Sequence, residues 1–525
     1  MALVLAVMMV LGVATAFAET VPTSQTITNS AATEGQYTIS VAEGDTHTYT
    51  VYQILTGSLI AGESKIGNPT WGADAKNTGT EGVEAFITSI TGDGLTNVQI
   101  NDMVEAQLNS SATGQGTVSA GSSRAVAPGY YLLMDTTENL PESETRSLNI
   151  VAVFNNITIT PKKDTPKSEK HVDDVNDSTG DSSTLKDSAD HDVGDTVSYT
   201  LTFTLPADYA NYKKYYVNFV DDMSAGLTYN NDAHIWFGEV SGDGTAVTLS
   251  ADSSARSAYD GGTVYKYSID DLKTAQPTFT SGTITIKYTA TLNKDAVVGS
   301  AGNPNQYQVE FSRNPNDEGD GKTDTGKTPW DTNIVFTYKT VFNKVDGEGK
   351  PLTGADFTLY KWVKDDSKTE TYKDVKGSWV DVTTLHTGDN KPYKKIESLT
   401  NTNGTADAAK FTFSGIDDGY YKLVENQTPT GYNTIADKFF TITATHDLES
   451  TDPKLTALTG TDGAQFTMTP SVPDGSLTSD IENNQGAVLP STGGIGTQMF
   501  YIGGGLLALI AVILLVTKRR VGSAD

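Results

Sequence analysis

Along most of the chain, apolar side chains recur at every second position. In residues 196–205, Val197, Tyr199, Leu201, Phe203 and Leu205 fall on one face, and Thr196, Ser198, Thr200, Thr202 and Thr204 on the other. This is the alternation of a half-buried antiparallel strand. Ile284, Ile286, Tyr288, Ala290 and Leu292 repeat it, and turn-forming clusters such as Gly242-Asp243-Gly244, Asn314-Pro315-Asn316-Asp317 and Asp417-Asp418-Gly419 punctuate such runs. Many short strands between turns predict a mainly β chain of sandwich domains. The exception is residues 81–108, where Val83, Phe86, Ile87 and Ile90, then Ile100, Met103, Val104 and Leu108, are spaced like short amphipathic helices. Polar stretches at residues 161–195 and 314–329 mark boundaries. They divide the chain into globular segments 19–162, 163–329 and 330–488, each long enough to bury its own core.

The two ends read differently. Residues 1–18 form an apolar run without an acid, closing in Ala16-Phe17-Ala18, which predicts a signal peptide cleaved before Glu19, although the run has no basic start. Residues 499–517 are uncharged and mostly apolar, and Lys518, Arg519 and Arg520 follow. That order predicts a transmembrane helix with its basic tail on the cytoplasmic side. An exported chain with no Cys needs a staple other than a disulfide.

Charge and residue usage narrow the function. With 37 Lys+Arg against 65 Asp+Glu, the net charge of −28 argues against a nucleic-acid surface. The His residues, at 47, 171, 191, 234, 386 and 446, are too scattered for a local metal motif, and no Gly-x-Ser-x-Gly elbow occurs. Asp173-Asp174 and Asp365-Asp366 read as solvated turns. No metal or cofactor is expected, and an exported hydrolase is disfavoured.

The most specific motif is Leu489-Pro490-Ser491-Thr492-Gly493, followed by the apolar span and the basic tail. It resembles the cell-wall sorting signal of Gram-positive surface proteins. The resemblance implies that a sortase thiolate attacks the carbonyl between Thr492 and Gly493 while span and tail hold the substrate at the membrane. The plain alternative is a permanent single-span protein with a Leu-Pro stalk.

Tyr420-Tyr421-Lys422-Leu423-Val424-Glu425, with Pro429 and Gly431-Tyr432 after it, resembles the E-box of Cna-B-type domains, an immunoglobulin-like sandwich class found in pilins and wall adhesins. Alternation puts Tyr421, Leu423 and Glu425 on one face. A carboxyl in such apolar company can hold its proton and donate a hydrogen bond. Phe336, Tyr338, Thr340, Phe342 and Lys344 share a face on which desolvation favours a neutral, nucleophilic amine. Leu477, Ser479 and Ile481 share a face with Asn483 rather than Asn484. By resemblance, the Lys344 amine attacks the Asn483 amide carbon, Glu425 polarises the carbonyl and shuttles protons, and ammonia leaves. An isopeptide bond remains. The alternative has Lys344 reaching solvent, Glu425 on a surface strand and Asn483 opening a turn.

The middle segment offers a parallel set. Val217, Phe219 and Asp221 share a face, and residues 219–228 resemble the second domain of backbone pilins, which implies Asp221 as the acid. Its partners would be Lys170, on the face of Val172, and Asn314, in a stretch from Phe311 to Pro315 that resembles the closing strand of those domains. Tyr307, Val309 and Phe311 put Arg313 inward on strict alternation, so Asn314 faces in only through a bulge or a strand end.

Ile157-Thr158-Ile159-Thr160-Pro161-Lys162-Lys163 resembles the pilin motif, departing from the usual Tyr-Pro-Lys-Asn. The resemblance implies that the Lys162 amine resolves the acyl-enzyme formed at Thr492 of another subunit, with Lys163 or Lys167 able to serve instead; a basic linker is the alternative. Taken together, the resemblances imply a major, backbone pilin that is substrate rather than enzyme. Its partners would be identical subunits, a pilus-class and a housekeeping sortase, accessory pilins, peptidoglycan and host surface ligands. A wall-anchored adhesin that never polymerises, or an accessory pilin, is the alternative, and for it Lys162 is dispensable.

Overall fold

The computed structural model describes residues 24–27, 36–60, 66–91, 94–95, 97–160, 165–315, 317, 319–400, 406–461, 467–485 and 504–515. The chain is mainly β, in antiparallel-rich sheets that pair across apolar cores. The first segment has a sheet built on Thr48–Leu59, Gly129–Asp135 and Leu148–Val153, and a smaller one in which Tyr37–Val41 lies between Ile157–Thr160 and Ser123–Val126. Two short helices, Val83–Ile90 and Asn97–Glu105, cover the outer side. Val83, Phe86, Ile87 and Val104 are buried there with Ile54, Trp71 and Leu132. The remaining apolar positions of the expected helical stripe, Ile90, Ile100, Met103 and Leu108, pack against the same cluster.

In the middle segment one sheet carries Lys167–Val175, Thr196–Thr204 and Thr283–Leu292 side by side. The facing sheet carries Asp331–Phe336, Asn303–Ser312 and Val217–Met223. Tyr199, Leu201 and Phe203 meet Phe219, Val309 and Phe311 in the core between them. The polar stretch at residues 314–329 predicts that the last segment opens at residue 330. Here Asp331–Phe336 pairs with Asn303–Ser312 and with Ser188–Asp190, so it completes the middle sandwich instead.

The last segment packs a sheet of Tyr393–Thr400, Ala406–Ile416, Tyr338–Asp346 and Ser476–Asn483 on one of Val375–Asp381, Asp356–Lys364, Gly419–Gln427 and Lys438–His446. Its opening and closing strands, Tyr338–Asp346 and Ser476–Asn483, are parallel neighbours, with Lys344 opposite Ile481 and Asp346 opposite Asn483. No helix among the described residues is long and apolar enough to cross a membrane. Residues 504–515 are helical and exposed; the rest of the expected span and residues 1–18 lie outside the described residues.

The middle and last sandwiches share a polar joint. Lys361, fully buried, donates to Asp192 at 2.7 Å and Asp177 at 3.1 Å from the middle domain, and to Asp417 of its own. Ser178 Oγ donates to the Trp362 carbonyl and accepts from the Tyr420 amide. Gly419 makes that approach feasible: its φ is +136°, and a β-carbon there would lie 2.5 Å from Ser178 Oγ. Lys361→Met would strand the buried carboxylates of Asp192 and Asp417 without their cation. The expected cost is about 3–5 kcal/mol, read as a lower midpoint in chemical unfolding followed by Trp fluorescence.

Candidate functional site

The last sandwich brings Lys344, Glu425 and Asn483 together. Lys344 and Asn483 stand on adjacent parallel strands with side chains on the same inward face, and Glu425 reaches them from the opposite sheet. Lys344 and Asn483 are fully buried and Glu425 nearly so. Asn483 Nδ2 donates to Glu425 Oε1 at 2.8 Å, while Glu425 Oε2 accepts from the Ile435 amide at 3.1 Å and from Thr428 Oγ1 at 3.2 Å. Asn483 Oδ1 is buried without a hydrogen-bond partner. Half a turn of the amide about its Cβ–Cγ bond would present this oxygen to Glu425. The Lys344 amine donates only to main-chain carbonyls, Ile481 O at 2.7 Å and Val345 O at 3.0 Å. Burial brings its pKa down to about 8, against the pull of the nearby Glu425, Glu482 and Asp346 charges. An amine whose proton is readily lost, a side-chain amide and a carboxyl in one buried site can exchange ammonia for a Lys–Asn amide bond.

The middle sandwich brings Lys170 to Asp221, with Nζ to Oδ2 at 2.5 Å and both side chains buried. The Tyr288 hydroxyl sits between them. It donates to Asp221 Oδ2 at 3.0 Å and accepts from Lys170 Nζ at 2.9 Å. The amine also lies 4.7 Å over the Tyr199 ring. Burial pulls the lysine down and pushes the aspartate up, with their mutual attraction opposing both shifts. Asn314 is not brought to this pair. Asp221 faces Tyr307 across the strands, and Asn314 lies seven residues further, past the strand end at Ser312. At about 3.3 Å per residue that is roughly 20 Å away. Arg313 does not point into the core either; it reaches the first domain, bonding the Leu140 carbonyl at 3.0 Å and sharing Asp324 with Arg146.

Two asparagines not picked out from the sequence occupy the place expected of Asn314. Asn305 Nδ2 donates to the same Tyr288 hydroxyl at 2.8 Å, and Asn333 Nδ2 donates to the Lys170 carbonyl at 3.0 Å. Both are fully buried, each with an unpartnered Oδ1. The signal for Asn305 was present: the alternation of Tyr307, Val309 and Phe311, followed backwards, leads to it. In the first domain, Lys76 is exposed and no lysine among the described residues is buried. Lys162, Leu489, Pro490, Ser491, Thr492 and Gly493 lie outside the described residues.

Parts of the chain are similar to known proteins. Residues 339–454 match the SpaA family of prealbumin-like fold domains, and residues 481–521 match the LPXTG cell wall anchor motif. The trypsin-resistant surface T6 protein of Streptococcus pyogenes is 28% identical over 382 residues, 62% of this chain and 65% of that protein. The match therefore spans a little under two thirds of that relative's length. Among solved structures, the T6 backbone pilin of S. pyogenes aligns at 20% identity with a TM-score of 0.45, covering 87% of this chain and 100% of that one. The major pilin SpaD of Corynebacterium diphtheriae aligns at 16% identity with a TM-score of 0.42, covering 86% and 98%. The chain is a cell-wall-anchored surface protein of Gram-positive type. Within that class it is similar to the pilins.

The buried amine gives a prediction with a definite sign. In Asn483→Ala the Lys344 amine stays free. Its proton is then lost near pH 8 in the folded chain but kept to about 10.5 in the unfolded one. The unfolded state binds more protons across that interval, so stability rises with pH. Thermal melts from pH 8 to 10.5 should show this rise in Asn483→Ala and lose it when Lys344→Met is added.

Proposed function

We propose that the chain is the major, backbone subunit of a sortase-built pilus. The observation that carries the reading is the sorting signal in the same chain as a buried Lys344, Glu425 and Asn483 set joining the first strand of its domain to the last. In this reading Lys344 Nζ attacks Asn483 Cγ, the new C–N bond replaces the bond to Nδ2, and Glu425 passes a proton to the departing ammonia. Asp221 does the same for Lys170. The amide partner is Asn305, because its Nδ2 and the Lys170 amine share the Tyr288 hydroxyl. Polymerisation is separate. A pilus-class sortase thiolate attacks the Thr492 carbonyl and Gly493 leaves as the amine. The Lys162 amine of the next subunit then displaces the thiolate. Transfer to peptidoglycan by a housekeeping sortase ends growth. The chain is substrate throughout, and the internal bonds are its only self-catalysed chemistry.

Intact mass and peptide mapping of the chain from a host without sortases tests the first half. The expected result is the loss of two ammonia equivalents, with crosslinked peptides joining Lys344 to Asn483 and Lys170 to Asn305. Glu425→Gln and Asp221→Asn should each restore one. An unmodified mass overturns the internal bonds. For the second half, coexpression with a pilus-class sortase should give a ladder of covalent multimers that Lys162→Ala abolishes. An undiminished ladder removes Lys162 as acceptor, and no ladder with intact Lys162 favours a wall-anchored adhesin.

A further inference from the structure

Beside the Lys361 cluster, the joint between the middle and last domains holds a second group of polar side chains with a different deficit. Asp174 and Asp190 come from the middle domain and His446 from the last, and one ligand atom from each lies within 4.8 Å of the others. His446 and Asp190 are almost fully buried. The cations of the joint have other partners: Lys361 is shared by Asp177, Asp192 and Asp417, and His191, whose charge acts on Asp174 and Asp190, contacts Asp195 and the Asp173 carbonyl. The Asp418 carboxyl lies next to Asp174 and Asp190, and burial together with their charges pushes its pKa up to about 8.

The hydrogen bonds fix how His446 is presented. Ser188 Oγ donates to the Asp447 carbonyl at 2.5 Å, so its one proton is committed. Its contact with His446 Nδ1 at 2.8 Å therefore has the imidazole as donor. His446 Nε2 then faces Asp190 Oδ1 at 3.5 Å, and Asp190 raises the imidazole's pKa against the effect of burial, so either a proton or a metal ion stands between the two. Two lone pairs facing each other in a buried site repel unless a cation lies between them. The other oxygen, Asp190 Oδ2, is buried with no hydrogen bond, and the Tyr338 hydroxyl is the polar group beside it.

We propose that Asp174, Asp190 and His446 form a site for a single divalent transition-metal ion, with Zn²⁺ the best fit, that ties the middle domain to the last. One imidazole and two carboxylates are a common ligand set for such ions. Ligands at about 2.0–2.2 Å from a tetrahedral Zn²⁺ lie roughly 3.3 Å apart, close to the 3.5 Å between His446 Nε2 and Asp190 Oδ1. Ser188 then serves as the partner of the non-ligating ring nitrogen, which fixes the tautomer and orientation of the imidazole. Water completes the coordination.

The test is isothermal titration of the metal-stripped full-length chain with Zn²⁺, with Ca²⁺ as the comparison, and thermal unfolding followed in parallel. The expected result is one Zn²⁺ per chain at micromolar concentration or below, a higher melting midpoint, and little response to Ca²⁺. Asp190→Asn and His446→Gln should abolish binding while keeping the circular dichroism of the parent, and Ser188→Ala should weaken it about tenfold. Absence of stoichiometric binding to the parent overturns the site and leaves a proton on Nε2 as the cation between the two groups. Binding that survives both ligand substitutions places the metal elsewhere and also overturns it. If a variant fails to fold, copurified metal measured in the parent and in Asp174→Asn decides in its place.

Discussion

An amine taken out of water must be neutralised, paired or consumed, and the three buried lysines among the described residues stand in three different environments. Lys361 is paired: carboxylates from two domains converge on it and hold it charged, well above the usual lysine range. Lys170 shares one carboxylate and one phenol in an aromatic box, where proton transfer between amine and acid costs little net charge. Lys344 is met only by main-chain carbonyls and an asparagine–glutamate pair, so desolvation dominates and the neutral amine is reachable near physiological pH. The partners, not the lysine, decide whether the position is a strut or a reagent.

The same logic organises the boundaries between sandwiches. Where the first domain meets the middle one, Arg146 and Arg313 converge on Asp324, and Lys213 bridges to Asp102 and Glu105 on the second helix. These are ion pairs at a partly wet seam. The joint to the last domain is drier and richer in acid, with strand ends and turns from both sides interleaved through Ser178, Asp192 and Asp417. A seam of that kind resists bending because each backbone partner is fixed by the other domain. The strongly negative composition of the chain thus has a structural counterpart at this joint.

Much of this was legible along single strands. The period-2 runs at residues 196–205 and 284–292 are neighbours in one sheet, and the 3.6-spaced stripe at residues 81–108 forms the helices over the first domain. Alternation also located Lys344, Glu425 and Asn483, because each lies within a regular strand whose face is set by its own neighbours. It failed at Asn314, which follows a strand end, where the period stops and the chain turns toward the first domain. Lys361 could have been read from Phe357 and Leu359, which share its inward face. The groups around it could not, since Asp177, Asp192 and Asp417 sit in turns whose facing depends on how two sandwiches dock. Asp190 and His446 are more than 250 residues apart, and no local pattern links them.

The parallel register of the opening and closing strands of the last sandwich has a mechanical meaning. The chain enters at Tyr338 and leaves beyond Asn483, at opposite ends of two adjacent strands joined over eight paired positions. Tension along a fibre would therefore load their hydrogen bonds in shear, all at once, rather than peel them singly. The Lys344 and Asn483 side chains sit near the exit end of that pair, so a covalent link there would carry the force straight from the first strand to the last. The 138 residues between them, 345–482, would form a loop outside the load path, able to fold, fluctuate or be cut without lengthening the fibre.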